Sequence, residues 1–369
     1  MDFDFSPELK TLQETARDYL SENCGPTATR RVLESDEYHD ADAWQTIAGL
    51  GWLASSLPER FGGLDMGQLA VCVLAAEVGR ALSPLPFSMV SIATDALLRY
   101  GSEQQQLGWL PKLADGRCIG TIAIAERPGF LISDGFDCRV DGGRLSGEKT
   151  VVPDAQAAEF AVVAARYEQG GVGLFLAALH GDTVEVVGQH TVDPSRSHAR
   201  LRFSAHPVEP LPGARHAEAI GRLLERAAIV VAFEQLGVAE AALQMACSHA
   251  RSRYAFGRPI GSFQAIKHKL ADVYIAVELA RSNCYYGAWA LANDAADLPL
   301  AAATARVAAT QAYHVASKEN IQTHGGMGFT WEFDCQFHYR RSRVLALNIG
   351  SLGQWQDKLI NAAVASDAA

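Results

Sequence analysis

The feature that most constrains the fold is a change of hydrophobic periodicity that occurs twice along the chain. Before about residue 115 and after about residue 212, apolar residues recur at the three- and four-residue spacing of helices. Between these boundaries, short β-type runs alternate with turn clusters such as Asp141-Gly-Gly. The sequence therefore predicts three parts: an N-terminal helical domain at 1–115, a β-domain at 116–212 and a C-terminal helical bundle at 213–369.

The two outer parts contain several separate helical patterns. Ser6-Pro7 is typical of a helix start, because a capping hydroxyl is followed by proline at the first helical position. Further helices are expected at 41–49, 66–82 and 88–100. The C-terminal patterns are longer and cover 215–251, 263–292, 301–323, 334–349 and 352–365. Their length and short connections predict a four-helix bundle.

The middle part has six β-type runs, at 119–125, 144–152, 159–165, 172–179, 183–187 and 199–203. Their regular spacing and the turns between them predict a small antiparallel barrel or sandwich. The expected fold class is α+β, with helices in the majority.

Charge and cysteine content limit the range of functions. The net charge of -10 argues against nucleic acid or a membrane surface as a partner. The acidic N-terminus has no apolar leader, and no apolar run approaches the ~20 residues that span a bilayer. Seven scattered cysteines without metal-ligand spacing are typical of buried thiols in a reducing compartment. A cytoplasmic protein without a metal is expected.

Two short segments carry the chemistry. Residues 253–264, Arg-Tyr-Ala-Phe-Gly-Arg-Pro-Ile-Gly-Ser-Phe-Gln, combine cations, rings and an amide in a loop suited to a pyrophosphate and a stacked base. Residues 319–332, Glu-Asn-Ile-Gln-Thr-His-Gly-Gly-Met-Gly-Phe-Thr-Trp-Glu, end a helix in glycines whose N–H groups can face an anion or a ring edge. Taken alone, such a glycine motif is more often a plain helix cap.

Together the two segments resemble the acyl-CoA dehydrogenase family, and the resemblance covers essentially the whole chain. It implies an FAD-dependent oxidoreductase that desaturates an acyl-CoA thioester and passes electrons to an electron-transfer flavoprotein or a similar acceptor. In the family, a set of matching residues holds the adenosine diphosphate half of FAD across a subunit interface. The corresponding positions here are Arg253, Phe256, Gln264, Gln322, Gly325 and Gly326.

The catalytic pattern of the family is broken in this chain. Most members carry a glutamate base in a stretch like I-Y-E-G-T, which is Leu-Asn-Ile-Gly-Ser at 347–351 here and puts Ile349 at the base position. A minority carry the base on the first bundle helix, where counting without gaps gives Ala227. Neither side chain accepts a proton. Glu225 and Glu234 are the fallback candidates, although each is more often a solvated or paired carboxylate.

The segments that hold the flavin ring in the family are altered as well. The loop resembling T-E-P-G-A-G-S-D is Glu-Arg-Pro-Gly-Phe-Leu-Ile-Ser-Asp at 126–134. The W-I-T/S segment that covers the ring is Val151-Val-Pro153, which has no aromatic side chain and loses an N–H donor at proline.

These differences predict a base-lacking, non-catalytic subunit that completes the FAD site of a homologous partner, as an α2β2 heterotetramer. The chain resembles the base-lacking members of actinobacterial dehydrogenases that shorten steroid side chains. Three alternatives stay open: a self-sufficient homo-oligomeric dehydrogenase with a displaced base, a flavin monooxygenase on the same fold, and a structural paralogue without a flavin. The arginines around 251–258 and 340–343 are either a patch for acyl-CoA or a solvated face.

Overall fold

The computed structural model describes residues 5–127 and 135–367, and its N-terminal part is helical as predicted. The Ser6 hydroxyl caps the first helix by accepting the N–H of Leu9. The last helix of this part begins at a capping box formed by Ser102 and Gln105. The helices are α1 (Pro7–Asn23), α2 (Pro26–Leu33), α3 (Ala41–Gly49), α4 (Gly67–Arg80), α5 (Phe87–Tyr100) and α6 (Glu103–Ala114).

The middle part is a curled sheet with eight strands among the described residues. They are β1 (Gly120–Ala123), β2 (Arg139–Asp141), β3 (Arg144–Pro153), β4 (Phe160–Tyr167), β5 (Val172–Ala178), β6 (Val184–Gly188), β7 (His198–Pro207) and β8 (Glu209–Pro210). The strand order is β6-β7-β3-β2-β4-β5-β8, with β1 also beside β4. Most neighbouring strands are antiparallel, as expected. Strands β1 and β2 both lie along one edge of β4 and are parallel to it. Both β2 and β8 are too short to show a pattern in the sequence.

The C-terminal part is the predicted helical bundle. Its helices are α7 (Ala217–Ser252), α8 (Gln264–Ala292), α9 (Leu298–His324), α10 (Cys335–Leu345) and α11 (Leu352–Asp367). The prediction of a helix over 334–349 is wrong at its end, since α10 stops at Leu345. There the buried guanidinium of Arg306 donates to the Leu345 carbonyl at 2.6 Å, which satisfies the end of the helix.

The N-terminal helices and the bundle share one hydrophobic core, to which one face of the sheet also contributes, and the other face of the sheet forms a second core. Helix α4 packs directly against α7 at two glycines, Gly79 and Gly237. A Cβ atom at Gly237 would lie 1.8 Å from the Ala76 carbonyl oxygen, so only glycine allows this approach. In the described chain, α7 alone has the length and composition of a membrane span, and most of its apolar stretch is buried in the fold.

Candidate functional site

The two chemistry-bearing segments of the sequence meet at one end of the bundle. The C-terminus of α7, the N-terminus of α8 and the C-terminus of α9 come together there. The rings of His249 and His324 stack at 4.0 Å and join α7 to α9. An ion pair of 3.1 Å between Lys269 and Glu319 joins α8 to α9. We call this region, which holds residues 253–264 and 322–326, the outer end.

The loop between α7 and α8 is a tight hairpin whose strands are β9 (Tyr254–Ala255) and β10 (Arg258–Pro259). Its two turn residues, Phe256 and Gly257, have φ angles of +53° and +77°. A two-residue hairpin loop with both φ angles positive is favourable for glycine and strained for phenylalanine. Such strain persists only where the surrounding structure imposes it, and it is typical of functional loops.

The candidate cofactor residues at the outer end are exposed. The ring of Phe256 is 95% exposed, and Gln264 and Gln322 also face solvent. Arg253 is exposed, and no described carboxylate lies within ion-pair distance of its guanidinium. A Cβ atom added at Gly325 or Gly326 would meet nothing within 4 Å. Crowding by other parts of the fold is therefore not the reason that glycine stands at these positions. The groups that the resemblance assigns to the adenosine diphosphate of FAD are therefore free to meet another molecule.

Among the residues that the structure describes, the region predicted to hold the flavin ring has little open space. Ile349 is completely buried and lines a cavity with Ile122, Val151, Pro153 and Asn348. The cavity measures about 10 Å³, which is space for roughly one water molecule. Pockets for cofactors are usually at least about 300 Å³. We call this region, with the ion pairs described next, the inner site.

The backbone of the inner site is distorted at its centre. Val151 has a φ angle of +51°, which is a rare conformation for a β-branched residue. It lies at a bulge of β3 between Lys149 and Val152, and its N–H donates to the side-chain oxygen of Gln189 at 2.9 Å. This N–H is therefore engaged by a side chain of the same chain.

Beside the cavity lies a buried triad of charges. The Arg196 guanidinium donates to both oxygens of Asp154, at 2.9 and 2.6 Å, and to one oxygen of Glu234 at 3.0 Å. Burial alone would lower the pKa of Arg196, but Asp154 and Glu234 raise it above its ordinary value. The hydroxyl of Ser88 donates to the second oxygen of Glu234 at 2.6 Å. The triad is thus satisfied within the chain.

A second buried cation lies where the family's flavin loop begins. Lys149 is fully buried and donates to Glu126 at 2.7 Å and to the Ile124 carbonyl at 3.0 Å. Burial lowers the pKa of Lys149, and Glu126 opposes that shift. Residues 128–134, the rest of this predicted loop, lie outside the described residues.

The two positions at which the family carries its base differ in their surroundings from the two fallback carboxylates. Ile349 and Ala227 are both buried in apolar packing. Glu234 is buried in the triad, where Arg196 and Ser88 already occupy its two oxygens. Glu225 lies on another side of α7 and pairs with Arg222 at 3.6 Å, and burial raises its pKa. Of the two fallback carboxylates, only Glu225 keeps an oxygen that no strong partner holds.

Sequence reasoning missed Asp154 and Arg196, because the partners of the triad are 38 and 42 residues apart and no local pattern links them.

The seven cysteines are free thiols, and six of them are buried. Among the described residues, no cluster of histidine, cysteine or acidic side chains has the composition of a metal site.

Comparisons with known proteins agree across the chain. Residues 6–117 match the family description "Acyl-CoA dehydrogenase, N-terminal domain", and residues 217–356 match "Acyl-CoA dehydrogenase, C-terminal domain". The chain is 33% identical over 340 residues to acyl-CoA dehydrogenase IpdE2 of Mycobacterium tuberculosis, covering 91% of each protein.

Two solved structures match nearly the whole fold. One is a variant of the Tcur3481-Tcur3483 steroid ACAD, with a TM-score of 0.90, 30% identity and coverage of 98% of this chain and 99% of that one. The other is the ChsE4-ChsE5 complex of Mycobacterium tuberculosis, with a TM-score of 0.90, 26% identity and coverage of 99% of both chains.

Proposed function

The chain belongs to the acyl-CoA dehydrogenase family of oxidoreductases, and from this premise we propose that it is the base-lacking subunit of a heteromeric dehydrogenase. In this proposal its outer end completes the FAD site of a homologous partner, which supplies the catalytic base. The observation that carries the proposal is the contrast between an exposed, unpaired outer end and an inner site filled by Ile349 and buried ion pairs.

The outer end fits the adenosine diphosphate half of FAD by its chemistry. Arg253 offers a free guanidinium for a pyrophosphate, since charge-assisted hydrogen bonds to phosphate are among the strongest. Phe256 offers an exposed ring for contact with the adenosine, and Gln264 and Gln322 offer amide donors and acceptors. The helix end at Gly325 leaves backbone room for a bulky group. FAD, when bound, accepts the hydride that leaves the acyl-CoA thioester.

The inner site does not fit the isoalloxazine ring of FAD. Its cavity holds about one water, and the residues around it are satisfied by one another. We therefore assign no reaction step to this chain's own inner site. In this proposal the chain contributes through its outer end, which holds the partner's cofactor in place.

The proposed assembly, substrate and electron acceptor are based on the similar proteins. We propose an α2β2 heterotetramer in the cytoplasm that acts on a bulky, steroid-derived acyl-CoA and transfers electrons to an electron-transfer flavoprotein or a similar acceptor. Support comes from the heteromeric ChsE4-ChsE5 complex and the Tcur3481-Tcur3483 steroid ACAD among the similar structures. Closing one of two ring sites per heterodimer leaves interior volume that a polycyclic acyl group can use in the other.

Flavin absorbance per polypeptide tests this function. The chain is purified alone and together with an acyl-CoA dehydrogenase family polypeptide encoded beside it, and acyl-CoA-dependent dye reduction is measured for both. A colourless, inert chain that becomes part of a yellow, active complex supports the proposal. One flavin per chain, with activity alone, contradicts it and makes Glu225 the first carboxylate to replace.

A second experiment tests whether the missing base alone explains inactivity. In an Ile349→Glu variant, we expect no dehydrogenase turnover by the chain alone, because the cavity beside this position has no space for a flavin ring. The Ile349→Gln variant controls for the effect of a polar side chain on folding. Turnover by Ile349→Glu and not by Ile349→Gln would show that the inner site still accepts FAD.

A further inference from the structure

A groove of about 640 Å³ crosses the bundle between α8, α9 and the connection from α10 to α11. Its lining is mostly apolar and includes Ala276, Val315, Leu347 and Leu352. A concave, largely apolar surface of this size is unusual on a protein without a function for it. None of the chemistry assigned above uses it.

The helices that border the groove also expose large apolar side chains. On α8, Ile275 and Leu279 are 56% and 60% exposed and lie one turn apart. On α11, Ile360 and Val364 repeat this arrangement at 62% and 65% exposure. Exposed apolar groups around a groove are typical of a surface that another protein covers.

The groove carries positive charge that the chain does not neutralise. Arg343 lines the groove. Its guanidinium donates to the hydroxyl of Tyr339 at 2.6 Å and lies 4.6 Å from the centre of the same tyrosine ring. No described carboxylate lies within ion-pair distance of Arg343. His314 lines the same groove, but burial, and after it Arg343 and Lys318, lower its pKa, so the charge of the groove comes from Arg343. The nearby Lys318 reaches only Glu319, at 3.9 Å, and that carboxylate already pairs with Lys269. This uncompensated positive charge lies on a chain with a net charge of -10.

The groove is continuous with the outer end along a single helix face. Gln311, Val315, Lys318 and Gln322 follow one another on α9 at spacings of four, three and four residues, which puts them on one side of the helix. Eleven residues of helix span roughly 16 Å. A partner subunit whose FAD reaches Gln322 therefore has the groove within roughly 16 Å on the same helix face.

From this arrangement we propose that the groove around Arg343 and His314 receives an apolar segment of the partner subunit that carries an aspartate or glutamate, and that this charge selects the heteromer. The inference rests on the proposed function. In a symmetric pair of identical chains, a groove at the two-fold axis meets its own copy, so two positive charges would face each other there. A partner with a carboxylate at this contact gains an ion pair in an apolar setting, and a second copy of this chain does not.

Charge reversal at Arg343 tests the proposal on the complete heteromer. The dissociation constant of the two subunits is measured for the wild-type chain, for Arg343→Glu and for Lys112→Glu. Lys112 is a matched control because it is also an exposed cation over an aromatic ring of its own helix, 5.3 Å from the centre of the Trp109 ring. It lies on α6, which does not border the groove. We expect Arg343→Glu to weaken the heteromer at least about tenfold and Lys112→Glu to leave it unchanged within about twofold.

A photo-crosslinking residue placed at exposed position 311 identifies the occupant. Capture of a partner peptide that contains an aspartate or glutamate supports the proposal. Capture of this chain's own peptide would make a second copy the occupant and overturn it. The absence of any crosslinked polypeptide, with an unchanged dissociation constant for Arg343→Glu, would also overturn it.

Flavin content separates this inference from the proposed function. A yellow, active heteromer that Arg343→Glu does not weaken refutes the groove proposal and leaves the function standing. A wild-type chain that forms no heteromer refutes the function, and the groove proposal with it.

Discussion

The outer end and the inner site both correspond to parts of a flavin site, yet they are built in opposite ways. At the outer end, Arg253 has no acidic partner among the described residues, and the Phe256 ring faces solvent on a strained turn. At the inner site, Arg196, Asp154 and Glu234 satisfy one another in a space without room for a ring. Under the proposed function, the outer end keeps its groups unpaired for a partner's cofactor, and the inner site pairs its own charges within the fold.

The largest expected effect is at the inner site. Replacing Arg196 in an Arg196→Leu variant leaves two carboxylates buried without a cation, and we expect the free energy of unfolding to fall by about 3 to 5 kcal/mol. Urea denaturation measures the change. The control is Arg222→Leu, which removes a cation from the more exposed pair with Glu225 and should cost less than about 1 kcal/mol. Equal effects would mean that the triad does not stabilise the fold.

The pH dependence of stability should also differ between buried and open regions. Burial, and after it the charge of Arg341, lower the pKa of His338 to about 3, so this histidine stays neutral in the folded chain near neutral pH. The unfolded chain binds a proton near pH 6.5, so stability falls as the pH drops from about 6.5 toward 3. Between pH 6.5 and 4 the loss from this group is about 3 kcal/mol.

Urea denaturation across this pH range, repeated with His338→Gln, isolates the contribution. We expect the free energy of unfolding of the variant to fall by about 3 kcal/mol less than that of the wild-type chain between pH 6.5 and 4. His249 at the outer end is only half-buried, and its lowered pKa arises first from that burial and then from His324 and Arg253. His249→Gln should therefore flatten the profile less than His338→Gln. The reverse order would contradict the link between the depth of burial and the loss of stability in acid.

At the outer end the expected effect is on the cofactor and not on the fold. Arg253→Ala should weaken FAD retention by the heteromer by about 1.5 to 3 kcal/mol, because it removes a charge-assisted contact. The free energy of unfolding of the isolated chain should change by less than about 0.5 kcal/mol. Flavin absorbance after dialysis measures retention, and Arg251→Ala is a control at a neighbouring exposed arginine. Unchanged flavin in the Arg253→Ala complex would remove this residue from the site.

The smallest expected effect has opposite signs for stability and function. Asparagine tolerates a positive φ angle better than phenylalanine, so Phe256→Asn should stabilise the isolated chain by about 1 kcal/mol. The same variant should retain less FAD in the heteromer, because it lacks the exposed ring. Thermal unfolding of the isolated chain and flavin content of the complex give the two measurements. A variant that is both more stable and fully loaded with FAD would show that the ring has no binding role.

The sequence predicts the parts of this protein that depend on local pattern. Periodicity predicts the helix–sheet–helix order, and residues 253–264 predict a loop between two long helices, which the structure shows as a hairpin. Pairing that joins distant segments does not follow from such patterns. The parallel alignment of β1 and β2 on β4 and the partners of Arg196 depend on how the chain returns to itself in three dimensions.

The end of α10 shows the same limit on a smaller scale. The apolar periodicity continues to about residue 349, but the helix ends at Leu345, where Arg306 from α9 binds the terminal carbonyl. A contact across 39 residues decides a boundary that local propensity would extend. The closure of the inner site around Ile349 likewise depends on the whole fold, although the loss of the base is visible in the sequence.

The close crossing of α4 and α7 at Gly79 and Gly237 sets the timing of folding during synthesis. Gly237 is added 158 residues (237 − 79) after Gly79, so α4 leaves the ribosome before the helix that covers it exists. At 5 to 20 residues per second the delay is roughly 8 to 30 seconds. Through that interval the face of α4 that α7 will cover has no partner on the nascent chain.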